Sequence, residues 1–136
     1  MIRCVSLTTP LMTRGHLGVG RMKDSDTTIA ALKELVRDFR NQRDWEQFHT
    51  PKNLSMSIAI EAAELMEEFQ WLTSEEARRL GKDEKRLTRL GEELADIIIY
   101  CLSFANSLNI DLTAAVMDKL AKNAGKYPDD EYKGRF

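Results

Sequence analysis

Two stretches of this chain constrain its fold more than any other feature. Residues 54–69 and 90–108 each carry apolar side chains at helical spacing, and each stripe is bordered on the same side by an acidic pair three residues apart. Successive residues advance about 100° around a helix axis. With Glu61 at zero, Leu54, Ile58, Leu65 and Phe69 fall at about 20° to 80°, Glu64 at about 300° and Glu68 at about 340°. With Glu93 at zero, Leu90, Ile97, Cys101, Phe104 and Leu108 fall in the same window, with Asp96 at about 300° and Tyr100 at about 340°. The local sequences agree too: Glu61-Ala-Ala-Glu64-Leu against Glu93-Leu-Ala-Asp96-Ile. If the two helices pack antiparallel through their stripes, both acidic pairs face one seam.

The rest of the chain supports a helical reading. A first helix is expected over 26–43, opened by Asp26 or Thr27, with Ile29, Leu32, Leu35, Val36 and Phe39 on one face. Thr50 with Pro51 starts a second helix running to about Trp71, because proline at the first position forfeits no hydrogen bond. Thr73 to Glu76 reads as a capping box for a short helix stopped near Gly81. Long helices over 83–108 and 111–125 follow, the latter capped by Asp111 and ended before Pro128. Short loops between long helices favour antiparallel neighbours, so the expected fold class is all-α, an antiparallel four-helix bundle. The expected organisation is a disordered tail over 1–25, one domain over 26–128 and a polar tail over 129–136.

Composition narrows the function. Residues 1–22 hold three arginines and no acid, whereas the remainder holds 22 acids against 17 bases. An acidic body lacks the basic footprint that nucleic-acid binding needs. The longest apolar run, residues 97–102, is too short to cross a bilayer. Cys4 and Cys101 have no metal-like spacing, and a pair of reduced cysteines suits a cytoplasmic protein.

The carboxylates carry the chemistry. Like charges a few Å apart raise one another's pKa or demand a counter-cation, and hard oxygen donors select Mg²⁺, Mn²⁺ or Ca²⁺. A di-iron site of the ferritin type requires Glu-x-x-His motifs, and the two histidines, His16 and His49, lie in the tail and a loop. Either acidic pair alone also reads as a solvated helix face. The repeated offset, and the absence of any basic residue between Lys52 and Arg78, favour a shared purpose, although Arg86 and Arg89, seven and four residues before Glu93, offer the second pair local partners. Lys119, Lys122 and Lys126 form a basic ridge, with Asn123 beside it, bordering an apolar stripe of Leu112, Val116 and Leu120; the same lysines also read as complements to the helix dipole. A carboxylate cradle near such a ridge suits a polyphosphate, and the rings of Trp45, Phe48, His49 and Trp71 suit a stacked base or simply close the bundle end.

Taken in order, Arg43-Asp44-Trp45-Glu46-Gln47-Phe48-His49, Pro51-Lys-Asn-Leu, Glu61-Ala-Ala-Glu64-Leu, Phe69-Gln70-Trp71, Glu92-Glu93-Leu-Ala-Asp96 and Asn123-Ala-Gly-Lys126-Tyr127-Pro128 resemble the MazG-like nucleotide pyrophosphohydrolases, in their dCTP pyrophosphatase branch. The resemblance spans residues 27–128 and implies the all-α NTP pyrophosphohydrolase fold. It implies Mg²⁺-dependent hydrolysis, with Mn²⁺ a possible substitute, of a nucleoside triphosphate such as dCTP to monophosphate and pyrophosphate. It makes Glu61, Glu64, Glu93 and Asp96 the metal ligands and catalytic carboxylates. It assigns Trp45, Glu46, Gln47, Phe48, His49, Trp71 and Tyr100 to the nucleotide, and Lys122, Asn123 and Lys126 to phosphate or sugar. It further implies a homodimer or homotetramer with sites built partly at subunit interfaces. Val36 departs from the branch: it stands where relatives offer a ring, and it can neither stack nor hydrogen-bond. The competing reading is a catalytically silent helical module that binds nucleotide or only assembles.

Overall fold

The computed structural model describes residues 22–135, and the expected N-terminal tail lies outside the described residues as far as residue 21. Every regular element among the described residues is helical. These are α1 (Ile29–Asn41), a 3₁₀ turn (Glu46–Phe48), α2 (Pro51–Glu67), α3 (Ser74–Arg79), a second 3₁₀ turn (Leu80–Lys82), α4 (Glu84–Ser107), α5 (Leu112–Lys126) and α6 (Asp129–Tyr132). The caps explain the boundaries. The hydroxyls of Thr28 and Thr50 and the carboxylates of Asp83 and Asp111 each accept a hydrogen bond from a first-turn amide. Thr73 and Glu76 form a reciprocal capping box.

α2 and α4 make the main interface, and α1 packs on α4. Leu54, Leu80, Leu102 and Ala105 are the buried apolar residues. Two features fix the ends of this unit. Asp44 takes a left-handed backbone (φ 52°), which Asp tolerates, and its side chain and carbonyl both accept from the Gln47 amide at 3.0 Å. That turn launches the aromatic loop. Asn109 (φ 53°) ends α4 in a Schellman arrangement, with the Ile110 amide donating to Ala105 O at 2.9 Å. Lys33 Nζ then donates to Ile110 O at 2.7 Å, and Asn106 Nδ2 to Lys33 O at 2.9 Å, lacing α1 to this elbow.

The elbow produces the largest difference from the sequence expectation. It bends α5 by 104° from α4, so α5 does not return to complete an antiparallel four-helix bundle within the chain. Val116, Met117 and Leu120 are 50%, 61% and 57% exposed, although Val116 and Leu120 form the stripe expected to be buried. Three smaller differences concern helix ends. α1 is shorter than the expected 26–43 and is capped by Thr28 rather than by Asp26 or Thr27. α2 stops at Glu67 rather than Trp71, because the chain tightens there into a turn with Phe69 N donating to Met66 O. The polar C-terminal stretch holds a one-turn helix, α6, whose first turn carries Asp129, Asp130 and Glu131. No single helix among the described residues is long and apolar enough to cross a membrane.

Candidate active site

The antiparallel packing of α2 on α4 brings the two acidic ridges onto one seam. Glu61, Glu64 and Glu93 can each offer an oxygen such that all three lie within 4.8 Å of one another. Asp96 stands beside this set, more exposed and outside its 4.8 Å limit, yet close enough to act on Glu61 and Glu93 electrostatically. Burial raises the Glu61 carboxyl above its ordinary value, and repulsion from Glu64, Asp96 and Glu93 raises it further. Glu93 is raised in the same way, by burial and then by Glu64, Asp96, Glu68 and Glu92. Asp96 is raised by burial, Glu64 and Glu92. Three partly buried oxygens at this separation, held from two helices, fit a hard divalent cation and suit neither zinc nor a soft metal.

The end of the seam toward Tyr100 is aromatic. Phe39, Trp45, His49 and Tyr100 follow one another edge-to-face, with centroids 5.9, 6.1 and 6.3 Å apart. The Arg43 guanidinium covers Phe39 at 3.7 Å. Burial lowers the His49 pKa, and the Arg40 charge lowers it further, so the imidazole is neutral at neutral pH. Its Nδ1 is buried without a hydrogen-bond partner. The other end of the seam is closed by an ion pair, Arg89 Nη2 to Glu68 Oε2 at 2.9 Å, which bridges α4 and α2.

The structure thus brings together Glu61, Glu64, Glu93 and Asp96, with Trp45, His49 and Tyr100 alongside. The other candidates stand differently. Glu46, Gln47 and Phe48 are exposed; the Gln47 amide is used in the Asp44 turn, and Phe48 O accepts from Asn53 Nδ2. Trp71 is 87% exposed. Lys122, Asn123 and Lys126 ride on α5, which has no packed interface with α2 or α4. Of two further charged residues, sequence reasoning passed over Arg40 and read Arg89 only as a local partner of the Glu93–Asp96 pair. Arg40 is buried, with Nη1 only 3.4 Å from Ser103 O and Nε unpartnered. Arg89 reaches across to the α2 ridge, so the ridge has a cationic partner that no residue on α2 supplies. Its signal was present: Arg89 falls at about 320° on the Glu93 wheel, on the same ridge as Asp96 and Tyr100.

Raised carboxyl pKa values have a consequence for stability. Folding is favoured while Glu61, Glu93 and Asp96 are protonated. That contribution is present below their unfolded values, near 4.5 for Glu and 3.8 for Asp, and is lost as pH rises through the raised folded values. Glu61→Gln should therefore raise the melting temperature of the metal-free protein at pH 7. Solvent screening limits the gain to about 2 °C. Thermal melts across pH should show the gain shrinking toward zero as the pH falls into the ordinary carboxylate range. A gain independent of pH, or a loss at pH 7, would contradict the mutual repulsion described above.

The MazG-like family model matches residues 56–135. The chain is 38% identical over 103 residues to dCTP pyrophosphatase 1 of Homo sapiens, covering 76% of this chain and 61% of that protein. It is 38% identical over 104 residues to dCTP pyrophosphatase 1 of Bos taurus, covering 76% and 62%. The chain thus spans about three-fifths of the length of the curated relatives it matches. A pyrophosphatase from Archaeoglobus fulgidus superposes with a TM-score of 0.67 at 39% identity, over 79% of this chain and 99% of that one. The paired acidic helices, the ring-bearing loop between α1 and α2 and these matches lead to one assignment: the chain belongs to the MazG-like family.

Proposed function

We propose that this protein hydrolyses a nucleoside triphosphate, dCTP or a modified dCTP, to the monophosphate and pyrophosphate, as a nucleotide-pool house-cleaning enzyme dependent on Mg²⁺. The observation that carries the reading is the convergence of Glu61, Glu64 and Glu93 from two helices, with Trp45, His49 and Tyr100 at one end of the seam. Glu61, Glu64 and Glu93 would hold a divalent cation, which would supply electrostatic stabilisation of phosphoryl charge and activation of water. The protein's own groups do the rest. Glu61, Glu64, Glu93 and Asp96 bind and orient. One of the site carboxylates, Glu61 or Glu64, takes the proton as the water oxygen bonds to the α-phosphorus. The bond from that phosphorus to the bridging oxygen breaks, and pyrophosphate leaves with the electron pair. The aromatic wall receives the base, and neutral His49 offers it an uncharged edge.

The same reading includes assembly. A lone 15-residue helix is marginal in water, and α5 holds Val116, Met117 and Leu120 exposed. A second copy is the fitting occupant of that face, because α5 is basic where the α2–α4 seam is acidic. In a homodimer or homotetramer Lys122, Asn123, Lys126 and the exposed Trp71 then serve a neighbouring subunit's site.

The test is a panel of deoxy- and ribonucleoside triphosphates incubated with and without Mg²⁺, both products being identified. Monophosphate plus pyrophosphate from a cytosine deoxynucleotide, only with the metal, is the expected result. No turnover of any triphosphate would leave the silent helical module.

A further inference from the structure

On the reading of the seam as a triphosphate site, one charged residue in it has no assigned role. Along α4 the ridge facing α2 runs Arg89, Glu93, Asp96, Tyr100, all within about 60° of arc. Along α2 it runs Glu68, Glu64, Glu61 in the matching direction. The seam is therefore ordered, with rings at the Tyr100 end, carboxylates in the middle and the Glu68–Arg89 ion pair at the far end. At 1.5 Å per residue, Tyr100 and Arg89 stand about 16 Å apart along the helix. That order is polar in the same sense as a nucleoside triphosphate. A base among the rings and an α-phosphorus beside the carboxylates leave the β- and γ-phosphates directed at Arg89.

We infer that Arg89 is a binding residue for the pyrophosphate end of the substrate, held by Glu68 until the anion arrives. Breaking the α–β phosphate bond builds negative charge on the leaving pyrophosphate, and the four carboxylates only repel it. A guanidinium offers a planar fork of donors matched to phosphate oxygens. Its present partner does not lock it in place: the side chains of Arg89 and Glu68 are 49% and 23% exposed, and ion pairs so placed exchange readily. The Glu68 carboxylate keeps the guanidinium at the seam, and a more highly charged anion displaces it.

Calorimetric titration of the full chain with Mg²⁺ and inorganic pyrophosphate tests this without turnover. Arg89→Met should weaken pyrophosphate binding about tenfold, with Arg89→Lys in between, the lysine lacking the fork. Glu68→Gln should tighten binding about threefold by freeing the arginine. In the Arg89→Met background that gain should vanish. A purely structural bridge predicts that Glu68→Gln and Arg89→Met act in the same direction. That outcome, unchanged binding in Arg89→Met, or persistence of the Glu68→Gln gain without Arg89, would overturn the inference while leaving the hydrolase reading intact. Wild-type protein that binds no pyrophosphate in Mg²⁺ and turns over no triphosphate would overturn both. Circular dichroism of each variant excludes unfolding as the cause.

Discussion

Glu61→Ala and Asp96→Ala should each abolish pyrophosphate release while leaving the helices in place. The expected loss of turnover is on the order of 10³-fold or more, because charge stabilisation by a held cation is worth several kcal/mol in a phosphoryl-transfer transition state. Glu61 contributes to the three-oxygen set, so its removal takes a ligand and one of the two candidate bases. Asp96 lies beside the set, and its removal leaves only three of the four carboxylates that frame the seam. Neither substitution opens the apolar core, since Leu54, Leu102 and Ala105 lie elsewhere, and both relieve repulsion. Folding should therefore persist in both variants, checked by circular dichroism. Full activity in both would refute the roles assigned to them.

Two inactive variants should restore activity when mixed. Glu61→Ala destroys the carboxylate cradle but keeps α5, whereas the double substitution Lys122→Ala and Lys126→Ala keeps the cradle and disarms α5. If α5 serves a neighbouring subunit, a mixed dimer contains one site with both parts intact. Random exchange makes half of the dimers mixed, so activity should return to about a quarter of the wild-type value. The physical basis is the elbow at Asn109, which bends α5 by 104° from α4, together with the apolar face of α5 that the chain leaves exposed. Co-refolding the variants and measuring pyrophosphate release decides the matter. Activity no greater than that of the separate variants would place the lysines in their own subunit's site or outside the site altogether.

The local signals in this sequence were legible, and the long-range ones were not. Thr50 with Pro51, the Thr73–Glu76 box, Asp83 and Asp111 mark helix starts because a cap is a contact between residues two or three apart. The acidic ridges were legible because 3.6-residue periodicity alone puts Glu61 with Glu64 and Glu93 with Asp96 on matching sides of their stripes. Their meeting followed from one further assumption, antiparallel packing. The path of α5 was not legible. It depends on one left-handed residue, Asn109, and on Lys33 and Asn106 binding backbone carbonyls more than seventy residues away. A stripe of Val116 and Leu120 says only that something covers it, and says nothing of whether the cover comes from the same chain. The Glu68–Arg89 pair was only half legible, for a related reason. Arg89 sits four residues before Glu93 and reads locally as its partner, and only the interhelical register shows that it reaches Glu68. α6 was passed over because its four residues are polar, although three acids directly after Pro128 are a helix-start signal.

Whether carboxylates from two helices hold one site for a divalent cation is tested most directly by a Mn²⁺ titration followed by electron paramagnetic resonance, on wild type, Glu61→Ala and Glu64→Ala, with Mg²⁺ as competitor. Mn²⁺ should bind the wild type, be displaced by Mg²⁺, and bind each variant at least about 10²-fold more weakly. Equal Mn²⁺ affinity in all three proteins, or no binding by the wild type, would contradict the account.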